Sequence, residues 1–278
     1  VSGPHPAGGL YEVLRDEIRA ERPVALATLI ASSATGAPVG AKLLVRPDQP
    51  VLGTLGDPDL DRVVARDTAA ELAAGLTSTR HYGPHGEARR EEGVSVFIES
   101  FSPPRRMIIF GAVDFTAALV RAAKLLGYRV VVCDARPVFA TRQRFPLADE
   151  VVNDWPDRYL SAHGANLGPL DAVCVLTHDP KFDVPAIVAA VRTGVGYIGA
   201  MGSRRTTVER NARLREVGLT DEQIGRVMGP IGLDIGARTP EETAISIVAE
   251  IIALRTGRAA TGSLAPLRDL DGPIHVRG

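Results

Sequence analysis

The sequence predicts an α/β protein. A doubly wound parallel sheet is expected over residues 103–258, preceded by a smaller α+β domain over 1–102 and followed by a loose tail over 259–278. Three observations carry this. From Met107 onward, short apolar runs alternate with helical patterns, the order of a parallel sheet with crossover helices. Before that point, strand-like runs follow one another through tight turns: Leu43-Leu44-Val45 and Val51-Leu52 flank Arg46-Pro47-Asp48-Gln49-Pro50, a hairpin pattern. Between the two lies Ser102-Pro103-Pro104, a breaker that suits a domain boundary.

The elements follow in order. Leu10, Leu14 and Ile18 mark an amphipathic helix that ends before Pro23. Val24 to Ile30 reads as a strand, Leu60 to about Leu76 as a helix, residues 80–93 as a polar loop, and Val94 to Ile98 as a strand. After the boundary come a strand from Met107 to Phe110, a helix over 115–126 and a strand from Arg129 to Cys133. A third strand is read from Ala172 to Leu176, then a helix from about Val184 to Thr193 and a fourth strand at Tyr197-Ile198. Thr239-Pro240-Glu241-Glu242 opens a last helix, with threonine as cap, proline in the first turn and glutamate closing a capping box. That helix is expected to bury Ile245, Val248, Ile251 and Ile252 and to stop before Gly257.

Composition narrows the function classes. With 45% hydrophobic and 23% charged residues, the 278-residue chain has the make-up of a soluble globular protein with core enough for two domains. A formal net charge of -1 leaves no electrostatic footprint for nucleic acid. No apolar run is long enough to span a bilayer and no secretory signal is read. The two cysteines, Cys133 and Cys174, sit inside apolar runs with no partner at ligand spacing and read as buried core thiols. A cytoplasmic setting is expected.

Three constellations point to a ligand. The first is Gly202-Ser203-Arg204-Arg205, where an apolar strand runs into a turn that opens a helix. Helix-terminal N–H groups favour an anion and arginine clamps one, so this turn is a candidate phosphate site. Gly229, Gly232 and Gly236, with Asp234 among them, let a second stretch of backbone approach closely. Arg210 and Arg213, further along the charged helix, read as a solvated face. The second is Phe110-Gly111-Ala112-Val113, which stands where a Rossmann fold carries Gly-x-Gly, with Asp134 after the next strand where a carboxylate grips a ribose. Val113 takes the second glycine position and Asp114 adds negative charge, so the turn reads equally as a purely structural one. Asp134 and Arg136 either contact a ribose or phosphate or pair with each other. The third is Thr177-His178-Asp179, directly after a strand, at the edge where open α/β sheets bind ligands; His178 is a candidate hydrogen-bond donor or acid–base group.

Several blocks then coincide in order. They are Phe139-Ala140-Thr141 with Arg144-Phe145-Pro146, Thr177-His178-Asp179, Gly202-Ser203-Arg204-Arg205, Gly229-Pro230-Ile231-Gly232-Leu233, and Thr239-Pro240-Glu241-Glu242 running on to Ser246 and Ala249-Glu250. Together they resemble the xanthine dehydrogenase accessory protein family (XdhC/CoxI) over most of residues 105–257. A weaker match runs through Gly40-Ala41, Leu44-Val45 and Gly53-Thr54-Leu55-Gly56. The resemblance implies a Rossmann-like domain and a molybdenum-cofactor chaperone, not a turnover enzyme. Such proteins bind the pyranopterin cofactor (molybdopterin or its cytosine dinucleotide form), assist its sulfuration with a cysteine desulfurase and deliver it to a molybdenum hydroxylase apoenzyme. A homodimer is expected. On this view Gly202–Arg205 grip phosphate, and Gly229, Gly232 and Asp234 line the pocket, with Gly111, Asp134, Arg136, His178 and Asp179 along the same edge.

This chain departs from the family pattern at three places. Asp59 stands where members commonly carry a Gly-Gly-Cys cysteine, and a carboxylate neither carries persulfide nor ligates molybdenum as a soft thiolate does. Val113 and Asp114 replace the glycine and histidine of the family's Gly-Ala-Gly-His turn. Two competing readings follow from the residues: an NAD(P)-dependent oxidoreductase with His178 as acid–base group and Asp134 on the ribose, and an interaction protein that kept the fold without the ligand.

Overall fold

The structure is a computed structural model that describes residues 9–32, 38–87 and 93–258. The expected tail over 259–278 lies outside the described residues. The chain divides into two compact units, Val1–Pro103 and Pro104–Gly278.

The first unit contains α1 (Leu10–Arg19), β1 (Val24–Ser32), β2 (Lys42–Val45), β3 (Leu52–Thr54), α2 (Pro58–Ala74), β4 (Ser78–Tyr82) and β5 (Val94–Phe101). The strands form an antiparallel sheet in the order β3-β2-β1-β5-β4. Alternation along β1 decides which helix lies on which face. Ala27 and Leu29 pack with Leu60 and Val64 of α2, whereas Val24 and Leu26 pack with Leu14 of α1. The Asp57 side chain caps α2 by accepting from the Asp59 and Leu60 N–H groups, and Gly75 ends the helix at φ 66°. Strand β4 runs into the stretch read above as a loop, overlapping it at residues 80–82. Its Arg and His side chains conceal a polar edge strand that pairs with β5 from Ser78↔Ile98 to Tyr82↔Val94.

The second unit runs β6 (Arg106–Phe110), α3 (Asp114–Leu125), β7 (Arg129–Cys133), β8 (Glu150–Val152), α4 (Pro156–His163), β9 (Ala172–Val175), α5 (Pro180–Ala190), β10 (Tyr197–Ala200), α6 (Arg204–Glu216), α7 (Asp221–Gly225), β11 (Val227–Met228) and α8 (Pro240–Arg255). All neighbouring strands are parallel, in the order β11-β10-β9-β6-β7-β8. Counted from β6 this is 6-5-4-1-2-3, the doubly wound order of dinucleotide-binding sheets, with its switch point between β6 and β9. Side chains of successive strand residues go to opposite layers. Ile109, Val132 and Cys174 pack with Leu119 of α3 and Ile247 and Ile251 of α8; Ile108, Val131 and Val173 pack with Leu160 of α4, Ile187 of α5 and Leu214 of α6.

The phase of α8 differs from the expected one. Ala244, Ile247, Val248 and Ile251 face the sheet, while Ile245 is 53% exposed. The buried set follows the i, i+3, i+4, i+7 spacing of one helical face, and Ile245 falls off it.

Candidate functional site

The carboxyl ends of the sheet's strands carry the candidate residues of this unit: three neighbouring turns, after β6, β9 and β10, flanked by the loop after β7 and the glycine segment after β11. The first follows β6. Gly111 has φ 111°, and a Cβ there would lie 2.8 Å from Thr177 Cγ2, so the residue must be glycine for this turn to pack against the one after β9. Both backbone groups of Ala112 are taken by side chains from the loop after β7. Asp134 Oδ2 accepts the Ala112 N–H at 2.7 Å, and Arg144 Nη1 donates to the Ala112 carbonyl at 3.0 Å. Asp134 is 4% exposed and also receives Arg136 through its backbone N–H, Nε and Nη2 at 2.7–2.9 Å. Burial works to raise the Asp134 carboxyl, but these donors outweigh it and hold the group below the usual carboxylate range. Asp134 and Arg136 pair with each other, their side chains 2.7 Å apart at closest. Val113 is half-buried against the core and Asp114 is exposed.

The second turn follows β9. Thr177 is buried and donates to Asp183. His178 is exposed and makes no hydrogen bond among the described residues. Asp179 is the cap of α5, accepting the Lys181 N–H at 3.1 Å with Lys181 Nζ at 3.3 Å. The geometry therefore gives Asp179 a local helix-capping role, and it leaves His178 without the oriented partner that an acid–base histidine commonly has.

The third turn follows β10 and opens α6. Ser203 caps the helix, its Oγ accepting the Thr206 N–H at 3.1 Å. The N–H groups of Arg204 and Arg205 donate to no backbone or side-chain acceptor among the described residues, as expected at a helix start. The two side chains themselves point outward. Arg204 is 89% exposed and 3.8 Å from an equally exposed Asp234, and Arg205 pairs with Glu209 one turn along. Such pairs contribute little.

The arginine expected on a solvated face lies inside this turn. Arg210 is 3% exposed. Side chains on a helix lean toward its N-terminus, so Arg210 reaches back along α6. Its Nη2 donates to the Met201 carbonyl at the end of β10 and stands 3.6 Å from Asp183 Oδ2. Nε and Nη1 are shielded from solvent and have no hydrogen-bond partner. Two glycines lie against the guanidinium: a Cβ on Gly202 would come 3.1 Å from Nη2, and one on Gly229 3.6 Å from Nη1. Burial lowers the Arg210 pKa and raises that of Asp183. Each buried polar group left unpaired costs about 1–3 kcal/mol, so this guanidinium is electrostatically under-compensated. The missed signal was helical phase: Thr207, Arg210 and Leu214 share one face, and Leu214 is fully buried.

The glycine segment after β11 is fixed to α8. Gly232 has φ 94°, its N–H donates to Glu250 Oε2 at 2.9 Å, and a Cβ there would collide with Ser246 Oγ. Tyr197 Oη donates to the same carboxylate oxygen at 2.6 Å, and Ser246 Oγ to the Leu233 carbonyl at 2.6 Å. Gly229 thus lies at the α6 turn, whereas Gly232 is a structural contact.

Both thiols are fully buried and unbonded to each other. Burial pushes Cys133 up to about 12 and Cys174 higher still. Asp59 is an exposed residue in the first turn of α2, paired with Arg62 at 3.3 Å. Among the described residues, no group of three or more His, Cys, Asp and Glu side chains is placed to hold a metal ion, and no helix is long and apolar enough to cross a membrane.

Residues 107–251 match the family model of the XdhC Rossmann domain, and residues 17–83 that of the XdhC and CoxI family. Among curated proteins, the chain is 34% identical over 165 residues to a probable xanthine dehydrogenase subunit of Bacillus subtilis (strain 168), covering 59% of this chain and 47% of the relative. It is 30% identical over 110 residues to the molybdenum cofactor insertion chaperone PaoD of Escherichia coli (strain K12), covering 40% and 35%. The chain thus spans less than half the length of these relatives. A crystal structure described as a xanthine dehydrogenase from Bacillus halodurans superposes with a TM-score of 0.50 at 23% identity, over 91% of this chain and 97% of that one, a likeness of fold.

Proposed function

This chain belongs to the XdhC and CoxI family, and from that premise we propose that it is an accessory protein that holds the molybdenum cofactor as cargo for a hydroxylase of the xanthine dehydrogenase type. The carrying observation is the contrast between two turns of one sheet edge. The turn after β6 is satisfied internally, with the Ala112 N–H on Asp134. The turn after β10 offers unpartnered donors beside two glycine surfaces. An anionic phosphate end, as in molybdopterin or its cytosine dinucleotide form, fits the second and not the first. When bound, the cofactor brings the molybdenum chemistry of the client enzyme. This chain's residues bind and orient it: Ser203 fixes the start of α6, the Arg204 and Arg205 N–H groups face the anion, and Glu250 anchors the Gly229–Gly236 segment alongside. Sulfuration falls to an external cysteine desulfurase, because both thiols here are buried.

Hydride transfer with NAD(P) has less support. The carboxylate that would grip a ribose is engaged by Arg136 and Ala112, and His178 lacks an orienting partner. The experiment is to produce the chain in cells that make the cofactor, quantify the co-purified pterin, and add the loaded protein to an apo-hydroxylase. Retained pterin and a gain in hydroxylase activity are expected; neither appearing defeats the proposal.

A further inference from the structure

We infer that Arg210 is the anchor of a phosphoryl-anion site at the mouth of α6, taking a phosphate monoester or a pyrophosphate group. This deepens the reading of the same edge given above and rests on it. Two independent features converge here. One is the helix start, where the N–H groups of Arg204 and Arg205 have no acceptor among the described residues. The other is a guanidinium, 3% exposed, whose Nε and Nη1 have no partner.

The existing partners do not satisfy this group. A guanidinium carries five N–H bonds arranged as a fork that matches two oxygens of a phosphate. In Arg210, Nη2 serves the Met201 carbonyl and faces Asp183, which leaves the Nε and Nη1 donors unmatched. Asp183 is itself shared, since Thr177 donates to its other oxygen. A tetrahedral anion on the Nη1 side supplies an acceptor that this nitrogen lacks and adds negative charge next to a cation that Asp183 compensates only at 3.6 Å.

The cover over the guanidinium is built for close approach. Gly202 and Gly229 present backbone where any other residue would present a side chain, with virtual Cβ positions 3.1 and 3.6 Å from the two terminal nitrogens. Because Nη1 is shielded from solvent, the inference requires the Gly229-Pro230 backbone to move aside when an anion binds. That backbone lies between β11 and Ile231, whose N–H is held by the Ala200 carbonyl at 3.1 Å, so the displacement has fixed points on both sides. Thr207 Oγ1, 3.5 Å from the Gly229 virtual Cβ, flanks the same spot. The exposed arginines at 204 and 205 then steer the anion and leave the holding to Arg210.

The test is calorimetric titration with inorganic pyrophosphate and, separately, with a nucleoside diphosphate, on the full chain. Wild type should bind pyrophosphate. The Arg204→Ala/Arg205→Ala double variant should stay within about threefold of it, as removal of exposed charges predicts. Arg210→Lys keeps the charge but loses the fork and should weaken binding about tenfold or more. Asp183→Asn removes the competing carboxylate and should tighten binding, a change that a purely structural Arg210 does not produce. Tighter nucleoside diphosphate binding with the same Arg210 dependence identifies a nucleotide-borne anion; equal affinity identifies the bare phosphoryl group. The inference is overturned if wild type ignores both probes at millimolar concentration, or if the loss follows Arg204 and Arg205 instead of Arg210. Should Arg210→Lys fail to fold, unchanged or weaker binding in Asp183→Asn overturns it. Pyrophosphate binding through Arg210 in a chain that retains no pterin counts against the proposed function alone. Pterin retention indifferent to Arg210→Lys counts against this inference alone.

Discussion

Asp134 accepts the backbone N–H of Ala112 at 2.7 Å, and this one bond defines what the first turn of the Rossmann domain does. In a dinucleotide-binding turn the carboxylate after the second strand points to a ribose and the turn's N–H groups point to a pyrophosphate. Here the two are joined to each other. Arg136 closes the carboxylate from one side, and Arg144, stacked 5.5 Å over the Phe139 ring, closes the Ala112 carbonyl from the other.

The first prediction follows from that arrangement. The chain should show no micromolar NAD binding at Gly111–Asp114. Val113→Gly with Asp114→His restores the family's turn and should raise affinity for a dinucleotide or the cofactor, but only modestly while Asp134 still holds Ala112. Nicotinamide fluorescence titration reads this directly, and tight NAD binding by the wild-type chain would contradict it.

The second concerns pH. The Asp134 pKa is lowered on folding from an ordinary value of 3.8. A depressed acid contributes stability that is complete above the unfolded pKa and is lost as pH falls through the folded one. Asp134→Asn keeps an acceptor for Ala112 and loses the charge. The melting-temperature gap between wild type and this variant should therefore be flat from neutral pH down to about 5 and shrink below about 4. A gap that persists unchanged at strongly acid pH rules out the ionised carboxylate as its source.

What the sequence made legible, and what it did not, divides along a physical line. Local signals held. Thr239 caps α8 by accepting the Glu242 N–H at 3.2 Å, and the alternating strands and helices make a parallel sheet. Elements too short or too polar to show a period were not read: β8 and β11 span three and two residues, and β4 is an edge strand carrying Arg80 and His81. At the candidate site, the glycines and Ser203 were visible as a turn. The burial of Arg210 was not, because it depends on Asp183, Met201 and Gly229, all distant in sequence or on other elements. Arg204 and Arg205 were legible as residues of the same turn, but the outward direction of their side chains was not.

The third prediction tests the anchoring of the glycine segment. Gly232→Ala forces a methyl into Ser246 Oγ at a left-handed backbone position. The cost should be roughly 1–3 kcal/mol, and the N–H groups of Gly232 and Leu233 should lose hydrogen-exchange protection. An alanine variant of wild-type stability with protection intact would show that the Glu250 and Ser246 contacts do not fix the segment.

The fourth concerns sulfur. Neither thiol should be needed for function. Cys133 ends β7 and Cys174 lies in the middle of the sheet on β9; both are fully buried. Burial raises Cys133 to about 12, and its Sγ contacts the Asp154 carbonyl at 3.4 Å. At neutral pH almost none of either thiol is thiolate, and only the thiolate attacks or carries sulfur efficiently. The position where the family commonly carries a cysteine is the exposed Asp59, paired with Arg62. Under the proposed function, sulfur is therefore expected to pass from an external desulfurase to the held cofactor without stopping on this chain. A Cys133→Ala/Cys174→Ala variant, first shown to fold, should keep pterin retention and client activation, with a stability loss of about 1–3 kcal/mol for two small core truncations. Cys133 adjoins Asp134 at the ligand edge and gives the stricter test. A persulfide found on Cys133 by mass spectrometry after incubation with a desulfurase, or lost client activation in a well-folded Cys133→Ala chain, would place a sulfur relay inside this protein and overturn the prediction.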